Sequence, residues 1–207
     1  MYIPEYHRIE DRDLSLAFMQ ANPFAILISN AQDGLFATHL PVLTKQIAGN
    51  FEISGHMARA NGHWKSLEQD GGALVIFHGP HAYISPTLYE SHESVPTWNY
   101  AAVHAYGIAR TLHNEAELAP LLDDLIRHFD ALYLQQWASL SQEYRSRMMR
   151  HIVGFQIKIT RLETKFKLSQ NRSRKDQQSV IQSLASSQDS TITEVARLMR
   201  AQGLGLK

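Results

Sequence analysis

The first half of the chain alternates short apolar runs with turn signals. Leu14, Leu16, Ala17 and Phe18 predict a helix from Asp13 to Ala21, capped by Asp13 and ended by Pro23. Strand-like runs rich in β-branched or aromatic residues follow at Phe24 to Ser29, Leu35 to Lys45, Phe51 to Met57, Ala73 to His78, Ala82 to Ser85 and Tyr100 to Leu112. Asp33-Gly34, Gly49-Asn50, Gly71-Gly72 and Gly79-Pro80 read as turns between them. Two runs can pair through Asp33-Gly34 and the next two through Gly49-Asn50, so an antiparallel meander closing into a small barrel is expected. The βαβ alternation of a doubly wound fold is missing.

The period then changes. Asn114 with Glu117 has capping-box spacing, and Leu118, Leu121, Leu122, Leu125, Ile126, Phe129 and Leu132 follow at helical intervals. A second helix is expected over Ser141 to His151. Val153, Phe155, Ile157 and Ile159 then alternate as a half-buried strand from Val153 to Thr160. Beyond Asp176 two short helical patterns are split by Ser186-Ser187-Gln188-Asp189-Ser190, the second opened by Thr191 and Glu194.

Composition narrows the chemistry. A chain of 207 residues, 44% apolar, can bury one good core and does not require two independent domains. Basic and acidic residues both count 20, so no global field draws the chain to nucleic acid or membrane, and anion binding must be local. Cysteine is absent, which removes disulfide frameworks, thiolate nucleophiles, zinc ribbons and iron–sulfur clusters and suits a cytoplasmic protein. The N-terminus lacks the apolar core of a signal peptide, and no stretch has membrane-spanning length. Walker A, GxGxxG, GxSxG, HExxH and EF-hand patterns do not occur. His56, His63, His78, His81, His92 and His104 show no tight ligand spacing, so no metal site is expected.

Three segments carry candidate chemistry. In Ile53 to Trp64 a strand gives way to a helix expected to run through Glu68, where free N–H groups and the Arg59 fork suit a phosphate. A solvated arginine at a strand–helix junction accounts for that segment equally well. Lys158, Arg161, Lys165, Lys167, Arg172, Arg174 and Lys175 crowd around Glu163 alone, a density that attracts phosphate but also describes an ordinary solvated face. Val95 to Tyr100, with Gly79 to Pro86 upstream, sets aromatics beside Asn and Thr, which suits a planar heteroaromatic ring. Core packing is the competing explanation for each aromatic taken singly.

With these residues in view, the chain resembles the PaiB family of flavin mononucleotide (FMN)-binding split barrels. The matching stretches are Met1 to Pro4, Thr38 to Pro41, Gly55 to Asn61, Phe77 to Pro86, Val95 to Tyr100 and Lys167 to Arg172. Where the family often has proline after the Ala-Arg-Ala-Asn run, this chain has Gly62, implying a looser helix start. The resemblance implies an α+β fold, an antiparallel split β-barrel over residues 1–175 with flanking helices; it weakens beyond Asp176, where the helical patterns themselves predict a C-terminal extension over 176–207 packed on the barrel. It also implies a homodimer holding FMN between subunits, with the phosphate at Gly55 to Asn61 and the ring near Thr38 and His39. The residues carried over as FMN-binding are Thr38, His39, Gly55, His56, Arg59, Asn61, Trp98, Asn99, Tyr100, Lys167, Gln170 and Asn171. Trp98, Asn99 and Tyr100 are expected at the dimer interface against the flavin. No residue is assigned as catalytic.

The function so implied is that of an FMN-binding protein in negative transcriptional regulation. An alternative is an FMN-dependent oxidoreductase related to the pyridoxamine-phosphate oxidase group, with His39 or His56 as proton donor. A haem-binding or haem-degrading split barrel, with a histidine such as His104 as axial ligand, is a further alternative. Direct DNA binding lacks a basic recognition helix, because the last helix offers only Arg197 and Arg200 beside Glu194.

Overall fold

A computed structural model describes residues 1–206. Contacts group these residues into a larger unit, Leu16–Phe77 with His104–Leu162, and a smaller unit, Met1–Ser15 with His78–Val103 and residues 163–206. The strands are β1 (Arg8–Ile9), β2 (Phe24–Ala31), β3 (Gly34–Pro41), β4 (Leu43–Ile47), β5 (Asn50–Ala58), β6 (Gly72–Ile84), β7 (Thr97–Leu112) and β8 (Ile152–Lys167). The helices are α1 (Arg12–Ala21), α2 (His63–Asp70), α3 (Glu115–Phe129), α4 (Tyr133–Ser139), α5 (Gln142–Met149), α6 (Arg174–Ala185) and α7 (Ser190–Ala201).

In the larger unit the antiparallel strands run in the order β3-β2-β6-β7-β8-β5-β4, a path that does not close on itself. Both expected hairpins form: Ala31 pairs with Gly34, and Ile47 pairs with Asn50 across a turn in which Ala48 and Gly49 have φ of 49° and 80°. The helical period after Asn114 builds the core of this unit, where Leu118, Leu121 and Leu125 of α3 pack with Leu43, Leu112 and Met149. Asn114 caps α3 by accepting from the Glu117 N–H at 2.9 Å and donating back to its carboxylate at 2.6 Å.

The smaller unit takes the remaining parts of β6, β7 and β8, with β1 paired to the end of β8 through Arg8↔Lys165 and Ile9↔Thr164. Helices α6 and α7 belong to it, capped by Ser173 and Asp189.

Several local expectations change. Asp11, not Asp13, caps α1: its carboxylate accepts from the Asp13 and Leu14 N–H groups at 2.9 and 3.0 Å. Asp189, not Thr191, opens α7 by accepting from the Thr191 N–H at 2.8 Å. The run from Leu35 to Lys45 breaks at Val42, whose N–H turns aside to the Pro23 carbonyl at 2.9 Å. Gly79-Pro80 is not a turn, because β6 continues through it; a proline fits a strand wherever the ladder does not need its N–H. The sequence pattern also passed over α4, which Trp137 ties to Asp123 of α3 at 2.9 Å.

Candidate functional site

In the larger unit, β2, β3 and the start of α2 assemble a polar cluster around His63. Its side chain is wholly buried, with Nδ1 2.8 Å from the Thr38 hydroxyl and Nε2 3.0 Å from the Ser29 hydroxyl. Phe36 stacks on the ring at 4.7 Å between centroids. Asn61 donates to the Thr38 hydroxyl at 3.3 Å and accepts from the His63 N–H at 3.1 Å, supplying the α2 cap that Gly62 cannot. Burial pushes the His63 pKa below its ordinary value, so the ring is held neutral and each nitrogen faces a hydroxyl that can donate or accept.

Arg59 precedes α2 and folds back onto the chain before β8. Its Nε donates to the Arg150 carbonyl at 2.9 Å and one Nη to the Ile152 carbonyl at 2.9 Å, while the Arg59 N–H reaches the His151 carbonyl at 2.7 Å. The Trp64 indole N–H closes the corner on the Arg59 carbonyl at 3.0 Å. Arg59 still lines a cavity of about 310 Å³ with His113, Glu115, Leu118, Ser146 and Arg150. A guanidinium has five N–H donors, so part of the fork stays open to a phosphate there.

Gly55 is explained by packing: a Cβ at this position would lie 2.7 Å from Cζ of Phe155 and 3.2 Å from the Pro41 carbonyl. His56, the next residue on β5, has its pKa lowered by burial. His39 is exposed on β3, with its ring 6.4 Å from that of Phe24. The structure thus joins Thr38 and Asn61 through one network and leaves His39, His56 and Arg59 outside it. His63 and Ser29 were not among the residues expected from sequence.

The smaller unit holds the other candidates. Trp98 is 51% exposed, with the ring of Tyr83 at 5.9 Å and that of His81 at 6.1 Å. Beside it, the Lys167 ammonium donates to the Thr97 hydroxyl. The neighbouring Asn99 is buried, and its amide bonds to the Ser169 hydroxyl at 3.0 Å. That bond holds Ser169 in the left-handed region at φ 65°, where β8 turns away towards α6. The Tyr100 ring centre lies 5.2 Å from the Lys165 ammonium. Gln170 accepts from the Leu168 N–H at 2.8 Å and contacts Nδ1 of His7 at 2.7 Å, whereas Asn171 is exposed. Among these, Asn99 is structural, Trp98 offers an exposed aromatic face, and Lys167 is a cation bonded to Thr97, the residue before Trp98.

These two kinds of group match a ligand with a planar ring and an anionic end. A family model described as "Putative FMN-binding domain" matches residues 1–161. The chain is also 38% identical over 202 residues to the protease synthase and sporulation protein PAI 2 of Bacillus subtilis, covering 96% of both chains. The chain belongs to the PaiB family.

Solved structures agree on the fold of this PaiB-family chain. A flavocytochrome from Azotobacter vinelandii superposes with a TM-score of 0.62 at 16% identity, over 80% of this chain and 72% of that one. An FAD- and haem-binding protein from Mycobacterium smegmatis gives 0.59 at 14% identity, over 78% and 73%. The architecture is the expected antiparallel split barrel with flanking helices. No helix among the described residues is long and apolar enough to cross a membrane.

Proposed function

We propose that this PaiB-family chain binds FMN and works as a flavoprotein in gene regulation. The observation that carries the reading is the exposed Trp98, whose ring lies near those of Tyr83 and His81, together with the Lys167 ammonium bonded to the adjacent residue Thr97. An isoalloxazine ring gains from stacking on such a face, and donors at its edge orient it. The residues proposed to form the flavin site, by contact or by positioning, are those carried by the family motifs: Thr38, His39, Gly55, His56, Arg59 and Asn61, with Trp98, Asn99, Tyr100, Lys167, Gln170 and Asn171. Within this set, Thr38 offers a hydroxyl oriented by His63 and Asn61, Arg59 offers its remaining N–H donors, and Asn99 acts by fixing Ser169. When bound, FMN supplies redox chemistry or light absorption of its own.

The regulatory part follows the name of the Bacillus relative, which refers to protease synthesis and sporulation. An indirect route is favoured over DNA contact, because Arg197 on α7 is paired with Glu194 at 2.8 Å. A homodimer is part of the proposal; Phe24, Leu35 and Ile108 are large apolar side chains exposed in the larger unit, and a second copy would cover such groups. A cytoplasmic location fits a chain without cysteine.

The test is an FMN titration followed by flavin fluorescence, with Trp98→Ala beside the wild type. Loss of the stacking face should weaken binding by about 1 kcal/mol, close to fivefold. Unchanged affinity removes Trp98 from the site, and a wild type that takes up no FMN ends the reading.

A further inference from the structure

In the smaller unit, Lys165 and Lys167 form no ion pair among the described residues. Lys165 lies on β8 opposite Arg8 of β1 and is only 7% exposed. Its ammonium donates to the Tyr2 carbonyl at 3.2 Å and faces the rings of Tyr100 at 5.2 Å and Tyr2 at 5.8 Å. An ammonium has three N–H donors, so this carbonyl leaves donors unused, and no carboxylate pairs with Lys165 among the described residues. Glu163, two residues back on the same face of β8, pairs with the Met1 amino terminus. Lys167, two residues on, has the neutral Thr97 hydroxyl as its one hydrogen-bond partner among the described residues.

His7 completes the cluster. It is 4% exposed, with Nδ1 2.7 Å from Oε1 of Gln170. The Gln170 amide is oriented by its neighbours, since Nε2 donates to the Phe166 carbonyl and Oε1 accepts from the Leu168 N–H. Nδ1 of His7 therefore carries the hydrogen, and Nε2 is left with a lone pair and no hydrogen-bond partner among the described residues. Burial lowers the His7 pKa, the Gln170 hydrogen bond opposes that, and Lys165 and Lys167 lower it further. Buried charge without a counter-ion is costly, so the arrangement favours an incoming anion.

We propose that Lys165, Lys167 and His7 form a binding site for a phosphate group. Lys165 and Lys167 lie two residues apart on one face of β8, and their long side chains can bring both ammonium groups to the oxygens of one phosphate. Nε2 of His7 accepts a hydrogen from a protonated phosphate oxygen or takes up a proton as the anion arrives. The phosphate belongs either to FMN itself or to a separate phosphorylated small molecule.

The experiment uses the full-length, flavin-free chain and inorganic phosphate as the probe. Its Tm is measured in phosphate and in sodium chloride at matched ionic strength. Phosphate should raise Tm beyond chloride, because a ligand bound only to the native state stabilises it. Lys165→Met should abolish that excess and Lys167→Gln should reduce it. If Lys165→Met does not fold, the more exposed Lys167→Gln decides alone. Saturating FMN then separates the sources: a phosphate response abolished by FMN but not by riboflavin assigns the site to the flavin's own phosphate. A response that survives FMN assigns it to another phosphorylated molecule; either result upholds the site. Equal Tm in phosphate and chloride, or an undiminished response in the variants, overturns it. Because the first comparison needs no flavin, a failure of FMN to bind is read separately.

Discussion

Two polar clusters in this molecule use similar side chains and satisfy them differently. In the larger unit, His63 has a hydroxyl at each ring nitrogen, and Arg59 has backbone carbonyls on Nε and Nη. In the smaller unit, among the described residues, Lys165 has one carbonyl, Lys167 one hydroxyl, and His7 one ring nitrogen without a hydrogen-bond partner. The first cluster holds a strand–helix corner together. The second keeps charge in reserve. A basic residue in a promising motif is thus not the same as a basic residue available to a ligand, and the difference lies in the acceptors that folding brings near it.

Substitutions can sharpen or break this contrast. The largest effect is expected for His63→Ala, which removes a fully buried ring and strands the Ser29 and Thr38 hydroxyls. Urea denaturation should show a loss of about 3 kcal/mol; a loss below about 1 kcal/mol would make this cluster no more structural than the other. Arg59→Ala should follow with about 1–2 kcal/mol, because the Arg150 and Ile152 carbonyls lose charged donors. Finding no change would free Arg59 from its structural role and return it wholly to the ligand.

The pH response comes next. Burial is the leading cause of a lowered pKa at His7, His56, His63 and His78. The unfolded chain therefore binds more protons than the native one between those lowered values and about 6.5, so stability rises with pH through that window and is lost on acidification. Tm should fall as the pH is taken from about 7.5 to about 5.5, and His63→Phe should flatten the curve. A flat wild-type curve would mean that these rings are solvated. The smallest effect is expected for Lys165→Met in the absence of phosphate and flavin. Removing an unbalanced ammonium and its single carbonyl bond should change stability by less than about 1 kcal/mol. A large loss would show Lys165 to be a structural residue like Arg59.

The parts of the fold visible in the sequence are those whose signal is local. Asn114 and Glu117 are three residues apart and cap α3 as expected, and the Leu118–Leu121–Leu125 spacing reports the face that forms the core. Turns at Asp33-Gly34 and Gly49-Asn50 set their hairpins because loop chemistry fixes register. Helix α4 had no such signal: Leu132 provides no side-chain cap, and Trp137 finds its partner in Asp123 of another helix. The candidate site divides in the same way. Family motifs marked Thr38 and Asn61, but His63, which links them, is a partner 25 residues from Thr38 and is recognisable only once β3 meets α2. Within the basic stretch, Lys165 and Lys167 look alike in sequence; pairing of β1 with β8 buries the first and leaves the second partly open.

FMN binding by this PaiB-family chain is what everything proposed for its function depends on. The most direct measurement is the visible absorption spectrum of the purified protein, followed by denaturation and chromatography of what is released. An FMN-binding chain gives a flavin spectrum and released FMN, or, for a colourless preparation, uptake of added FMN with the appearance of that spectrum. A protein that is colourless and takes up no FMN, or one that shows a Soret band and releases haem, contradicts FMN binding.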